Sequence, residues 1–208
     1  MTDLQMIYLD AQSIYVDMKA VLRKLKIKDP DSSMQQLITE CYDIICEKAT
    51  PRAIYKKSAI NVSEKPKNTI DFGYMTLESC NLRVNLTDCN TAYVFVATLG
   101  IEVDRIIEKY SKVLQTKSLI CDTIASFMIE GFCNYINELL TRNEKSQPRF
   151  SPGYGDLSLS YQTDIINSLN ATTKIGVALT DSYMMVPSKS VSAIIGVKNK
   201  NGHTNEIK

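Results

Sequence analysis

Residues 148–156, with the sequence PRFSPGYGD, combine an anion-binding side chain with a constrained backbone. Its two prolines fix their own φ, and its two glycines allow positive φ or a close approach of ligand to bare backbone. Arg149 can hold a carboxylate or phosphate through two parallel hydrogen bonds, and Tyr154 offers a flat face with a polar tip. A plain turn with a solvated arginine and a locally packed tyrosine has the same composition. The loop alone therefore favours the plain turn over a ligand site.

The longest helical pattern of the chain, residues 117–141, immediately precedes this loop. Ile124, Met128 and Phe132 follow helical spacing on one side. Glu130 falls on roughly the opposite side, on a face that also carries apolar residues. Helix phase is compatible with a partly buried carboxylate that needs a partner and with an ordinary exposed glutamate.

Hydrophobic patterning predicts one α+β domain over residues 1–208, with an antiparallel or mixed sheet covered by helices. The apolar, β-branched and aromatic run at 91–98 is typical of a buried central strand. Helices near 33–48 and 118–141 should cover the sheet.

Near the C-terminus, residues 180–186 and 191–197 are predicted to form a hairpin within the sheet. Residues 198–208 have a polar composition and are predicted to be a frayed tail.

Composition excludes several classes of function. Lys and Arg total 24 against 23 for Asp and Glu, so no overall basic field for nucleic acid is expected. No apolar run approaches the length of a membrane span, and the first residues do not resemble a signal peptide. We therefore expect a cytoplasmic protein that contacts neither nucleic acid nor membrane.

The cysteine and histidine content argues against a metal site. The six cysteines form no C-x-x-C pair, and His203 is the one histidine. Buried free thiols in a reducing cytoplasm are the expected state. No nucleophile–base pair is evident either, so no catalytic residue and no metal ligand are predicted.

Several ordered motifs are similar to a known family. Arg149-x-x-x-Gly153-Tyr154 resembles the Arg-x-x-x-Gly-Tyr loop of the activation domain of cobalamin-dependent methionine synthase. Glu130-x-Phe132-x-x-Tyr135 resembles its Glu-x-Phe-x-x-Tyr helix, and residues 179–192 resemble its closing hairpin. The resemblance is strongest over residues 118–197.

The resemblance implies a site for S-adenosylmethionine. Arg149 would grip the methionine carboxylate of this ligand, and Tyr154 would line its pocket. The backbone from Ser151 to Gly153 would take other polar groups, and Glu130 would favour the cationic ligand electrostatically. The chemistry of such a domain is positioning of a methyl donor over a cofactor that is carried elsewhere.

The resemblance also implies partners. The family's cobalamin-bearing domain is marked by Asp-x-His-x-x-Gly, and this sequence has no such motif. We therefore expect a stand-alone activation-type chain that serves a separate cobalamin-binding methionine synthase, with a flavodoxin-like protein as electron donor. The family's acidic ligand contact near the start of the domain has two possible counterparts, Asp10 and Asp17. Its aromatic residue after the last strand has no match in residues 198–202.

Two other classes of function are compatible with the sequence. A docking subunit that kept the fold but lost the ligand would explain the unmatched ligand contacts. A free-standing S-adenosylmethionine-dependent methyltransferase is the other, although no glycine-rich loop follows a strand at the start of a helix.

Overall fold

The computed structural model describes residues 4–64 and 67–198, so all but the first residue of the predicted polar tail lies outside the described residues. The strands are β1 Gln5–Tyr8, β2 Arg52–Ala59, β3 Asn61–Ser63, β4 Thr69–Asp71, β5 Thr76–Glu78, β6 Cys89–Thr98, β7 Lys145–Ser146, β8 Ala178–Leu179, β9 Met185–Val186 and β10 Ser190–Lys198. The helices are α1 Met18–Lys24, α2 Ser32–Lys48, α3 Cys80–Asn85, α4 Ile101–Val113, α5 Gln115–Thr141, α6 Gln162–Ser168 and α7 Ala171–Ile175. Short 3-10 turns lie at Ala11–Ser13 and Leu159–Tyr161.

The main sheet has five strands in the order β1-β2-β6-β10-β7, and every pair is antiparallel. The predicted α+β class with an antiparallel sheet is therefore confirmed. Strand β6 lies at the centre and is buried on both faces from Ala92 to Thr98, as its continuous apolar run predicts. Its neighbours β2 and β10 supply the ladder on either side.

Two hydrophobic cores lie on opposite faces of this sheet. On one face, Phe95 of β6 packs in a cluster with Ile45 of α2 and Phe132 of α5. On the other face, Val94 and Ile194 pack against the small β3-β4-β5 sheet and the short helices α3, α6 and α7. Burying each large apolar side chain contributes roughly 1.5–3 kcal/mol, so both faces are tied firmly to β6. The two predicted covering helices are confirmed on the first face.

The predicted hairpin between residues 180–186 and 191–197 is wrong. Strand β9 is only Met185–Val186, and it pairs with β8 rather than with β10. Strand β10 instead pairs with β6 along its whole length and with β7 at one end. The pairing of β10 is decided by the long central strand β6, and a local turn pattern carries no information about a neighbour so distant in sequence.

Helix α5 has 27 residues and meets length and hydropathy criteria for a membrane span, contrary to our expectation that no stretch would. Within the protein, however, 56% of its most apolar stretch is buried. Phe132, Met128 and Ile124 are all fully buried against the sheet. The helix is the core helix of this domain, and it also carries one wall of the site described next.

Candidate functional site

The guanidinium of Arg149 makes two hydrogen bonds to helix α5. Its Nη1 donates to Asn134 Oδ1 at 3.0 Å, and its Nη2 donates to Glu130 Oε2 at 3.1 Å. Glu130 and Asn134 are four residues apart and share one face of the helix. The side chain of Arg149 is 22% exposed and that of Glu130 58% exposed. Glu130 is thus exposed and not partly buried, but it still has a cationic partner in Arg149.

A cleft of about 440 Å³ opens between helix α5 and the loop after β7. Four of the five residues predicted from the sequence to bind ligand line it, namely Glu130, Arg149, Ser151 and Tyr154. Its remaining walls come from Asn134, Asn137, Ser146, Gln147, Pro148 and Val191. The lining is mostly polar and offers hydrogen-bonding groups to a charged ligand.

The first part of the loop is fixed by the main sheet. Phe150 N donates to Ile194 O at 2.9 Å, and Ile194 N donates back to Phe150 O at 2.8 Å. Gln147 N also donates to Gly196 O at 2.8 Å. The backbone on either side of Arg149 therefore extends the edge of β10, and this holds the guanidinium against α5.

The far part of the loop is fixed by Asp156. Its carboxylate accepts hydrogen bonds from the Ser79 hydroxyl, from Cys80 N at 2.7 Å and from Asn81 N at 3.1 Å. The hydrogen bond from Ser79 lowers the pKa of this carboxyl, and the backbone donors at the start of α3 act in the same direction. The loop is thus pinned to an element some 75 residues away in sequence.

Gly153 shapes the turn of the loop rather than the wall of the cleft. Gly153 has φ of 91°, a conformation that favours glycine. Its N–H donates to Leu157 O at 2.8 Å, and Tyr154 N donates to Ser151 O at 3.1 Å. The Gly153 N–H and the Ser151 carbonyl, which were expected to meet the ligand, therefore already have local hydrogen-bond partners. Gly153 is not part of the cleft lining.

Tyr154 lines the cleft with a largely exposed side chain. It is 59% exposed, and its ring meets that of Phe150 edge-on with centroids 6.1 Å apart. Because Phe150 is paired with β10, this contact places the phenol against a fixed base. The exposed face is free to pack against a ligand at the mouth of the cleft.

The two aspartates considered as acidic ligand contacts cap local structure instead. Asp10 accepts from Gln12 N and Asp17 accepts from Ala20 N, each at 3.0 Å. Neither lines the Arg149 cleft. The segment between them packs closely on α5 at Gly131. A Cβ at this position would overlap the Tyr15 carbonyl oxygen. Sequence reasoning missed this contact, for which a glycine inside a helical pattern was the signal.

The cysteines of the chain differ in burial. All six cysteines are free, and the expectation of buried thiols holds for Cys41, Cys121 and Cys133. It is wrong for Cys80, which is exposed. Burial raises the pKa of the Cys133 thiol, behind Arg149, to about 12, which keeps it protonated at neutral pH. Across residues 4–64 and 67–198, no three His, Cys, Asp or Glu side chains are placed to hold a metal ion.

Comparison with known protein families decides the relationship. The family model described as vitamin B12 dependent methionine synthase, activation domain, matches residues 86–203. The chain belongs to this family. The match includes α5 and the whole Arg149 loop, and it begins well before residue 118, the first residue of the segment with the strongest motif resemblance. A search of curated proteins found no match.

A solved structure extends the likeness over nearly the whole chain. The crystal structure of the MetH reactivation domain bound to AdoHcy superposes with a TM-score of 0.70 at 15% identity. The match covers 96% of this chain and 80% of that chain. The N-terminal part, where the sequence resemblance is weak, therefore shares the fold of that domain as well.

Proposed function

We propose that this chain binds S-adenosylmethionine in the Arg149 cleft and presents its methyl group to the cobalamin of a separate methionine synthase chain, in the cytoplasm. The observation that carries the proposal is the guanidinium held between the loop and Glu130 in a polar cleft. Membership of the activation domain family supports it, as does the AdoHcy bound by the structurally similar domain. AdoHcy is the product left when S-adenosylmethionine gives up its methyl group.

The charges of the cleft suit a ligand that carries both signs. A methionine carboxylate would replace Glu130 and Asn134 as acceptors for the Arg149 fork. Glu130, released from Arg149, would face the ammonium or sulfonium charge of the same ligand. The exchange trades one ion pair for two, so the cleft need not carry an unpaired charge at any stage.

In this proposal the chain supplies position and not reactivity. Arg149 and Tyr154 would hold the ligand by its ends, with the methyl group facing the open mouth of the cleft. Cobalamin, bound by the partner, would accept the methyl group after reduction by an electron donor such as flavodoxin. The chain's own residues orient the donor and limit its rotation.

A second candidate is a docking subunit that has lost the ligand. Arg149 already has two acceptors, and the Ser151 carbonyl and the Gly153 N–H have partners inside the loop. A closed network of this kind would also serve a purely structural loop. Ligand titration separates the two candidates.

The test is titration calorimetry with S-adenosylmethionine and with AdoHcy. Replacing Arg149 by alanine removes a charged hydrogen-bonding group from a mostly buried position, which costs about 2–3 kcal/mol, or roughly 30- to 150-fold in affinity. Arg149→Lys should recover part of the loss, since it keeps the charge without the planar fork. Arg142→Ala, an exposed arginine at the end of α5 outside the cleft, is the matched control.

A second measurement follows the reaction. Mixing the chain, a cobalamin-binding methionine synthase chain, a reductant and S-adenosylmethionine should speed the appearance of the methylcobalamin spectrum. Absent ligand binding with retained stimulation of the partner would favour the docking subunit. Methyl transfer without any cobalamin protein would indicate a free-standing methyltransferase, and binding unchanged in Arg149→Ala would refute the site.

A further inference from the structure

Helix α1 and the turn after it form a groove of about 610 Å³, which we call the basic groove. It is lined by Lys19, Leu22, Arg23, Lys26, Ile27 and Lys28. We propose that this groove docks an acidic, amphipathic helical segment of a partner protein. The proposal is independent of ligand binding at Arg149.

The groove concentrates charge of one sign. Residues 18–28 contain five cations and no carboxylate, although the whole chain carries a net charge of only +1. Lys24 is the fifth cation, beside those that line the groove. Within the part of the chain that the structure describes, no ion pair joins any of these five to an acidic side chain. A positive field of this kind favours a negatively charged partner.

Local backbone physics does not explain all of these cations. Arg23 and Lys24 lie in the last turn of α1, where the helix dipole favours them. Lys19 lies in the first turn, where the same dipole disfavours a cation. Residues placed against a local preference are commonly there for function.

Lys26 is the second cation in an unfavourable position. It has φ of 59°, where glycine is the preferred residue. Its N–H donates to Arg23 O at 3.1 Å, and Ile27 N donates to Leu22 O at 3.0 Å. These two bonds form a Schellman motif, in which lysine occupies the usual glycine position.

The same motif builds an apolar floor. Leu22 and Ile27 are the pair whose contact accompanies a Schellman motif, and both line the groove. They are partly buried and pack against the core that α1, α2 and α5 share. A concave apolar floor between cations fits leucine-type side chains flanked by carboxylates, as on one face of an amphipathic helix.

Membranes and nucleic acids fit these features less well. Among residues 18–28 no large apolar side chain is fully exposed, so none projects as a membrane anchor would. Nucleic acid would use the cations but not the apolar floor. The combination of floor and charge favours an acidic protein segment.

The probe is a fluorescein-labelled helical peptide with leucines on one face and glutamates around them, titrated with the full chain by fluorescence anisotropy. A peptide with the same composition but no leucine stripe tests the floor. A peptide with glutamine in place of glutamate tests the charge. Binding to the probe should exceed binding to both controls and should weaken as salt is added.

Variants of the chain locate the binding. Arg23→Glu combined with Lys28→Glu should lower the affinity for the peptide probe by about tenfold or more, since the double variant turns attraction into repulsion. Lys26→Gly should weaken binding by about two- to fivefold, the range of an exposed ion pair, without lowering thermal stability, because it relieves the positive φ. Lys109→Glu, an exposed lysine on α4 away from the groove, should leave binding unchanged.

Three results would overturn the proposal. One is no measurable binding of the probe by a folded wild-type chain. The second is binding that neither the double charge reversal nor Lys26→Gly weakens. The third is tighter association with phosphatidylserine vesicles or duplex DNA than with the peptide.

Discussion

Arg149 lies 3.1 Å from a carboxylate of its own chain, whereas the five cations around the basic groove have no acidic partner within residues 4–64 and 67–198. The cleft is thus compensated before any ligand arrives, and the groove is not. A compensated pair exchanges partners and selects by the geometry of both charges. An uncompensated cluster acts through its summed field, which reaches further and is screened by salt.

The two regions meet at Gly131, and a substitution there should break both. Gly131 follows Glu130 in α5 and packs on the segment that leads into α1. Alanine would gain about 1 kcal/mol of helix propensity. Its Cβ would overlap the Tyr15 carbonyl oxygen, however, and a backbone carbonyl cannot rotate away.

We therefore expect Gly131→Ala to lower the free energy of unfolding by a net of about 1–3 kcal/mol, measured by urea denaturation. It should also lower the affinity for S-adenosylmethionine and the affinity for the acidic peptide. An unchanged or higher urea midpoint would show that the segment before α1 moves without cost.

A change at Gly153 should affect the cleft and spare the groove. Gly153→Val places a β-branched residue at φ of 91°, with a strain of about 1–3 kcal/mol. The added Cβ itself meets only Leu159 Cδ1 at 3.4 Å, so backbone strain and not collision is the cause. S-adenosylmethionine affinity by calorimetry should fall, and affinity for the acidic peptide should stay at the wild-type value. Equal loss at both regions would point to general unfolding instead.

Removing the compensating charge should make the cleft resemble the groove. Glu130→Gln leaves Arg149 without its carboxylate, so binding of simple anions such as sulfate should strengthen and become more sensitive to salt. Affinity for the cationic S-adenosylmethionine should fall by about two- to fivefold, a modest effect because Glu130 is 58% exposed. Calorimetry at low and high salt measures both. Glu138→Gln, on the same helix but outside the cleft, is the control.

The smallest effect is expected at Asp156, which is exposed to solvent. Its folded-state pKa is lowered, so its contribution to stability is present above its usual pKa of about 3.8 and is lost as pH falls through the lowered value. Asp156→Asn should lower the urea midpoint at neutral pH, and the gap from wild type should narrow below about pH 3.8. Asp43→Asn, which changes an exposed carboxylate on α2, is the control. A gap that stays constant with pH would contradict the ionic origin.

Sequence reasoning predicted the elements whose burial is continuous or periodic. The run at 91–98 and the stripe through α5 identified the central strand and the core helix. It failed where pairing depends on distant neighbours. Residues 180–186 were expected to pair with residues 191–197, but β10 pairs with β6 instead.

The candidate site shows the same division. Residue types drew attention to Arg149 and Tyr154, because a guanidinium in a Pro-Gly loop is a local signal, and the family resemblance added Glu130. The contact of Arg149 with Glu130, the support of Asp156 from α3 and the approach of Tyr15 to Gly131 join segments far apart in sequence. No helical or strand period encodes such contacts.

The pairing of Phe150 with Ile194 has a consequence for ligand affinity. Because the loop is already part of the sheet edge, binding at Arg149 does not have to order a disordered segment, and fixing the backbone of one residue costs about 1–2 kcal/mol. The free energy of ligand binding is therefore not reduced by a cost of folding the site. Under the proposed function the cleft would be a preorganised receptor, and ligand release would require loss of the ligand's own contacts and not the unravelling of the loop.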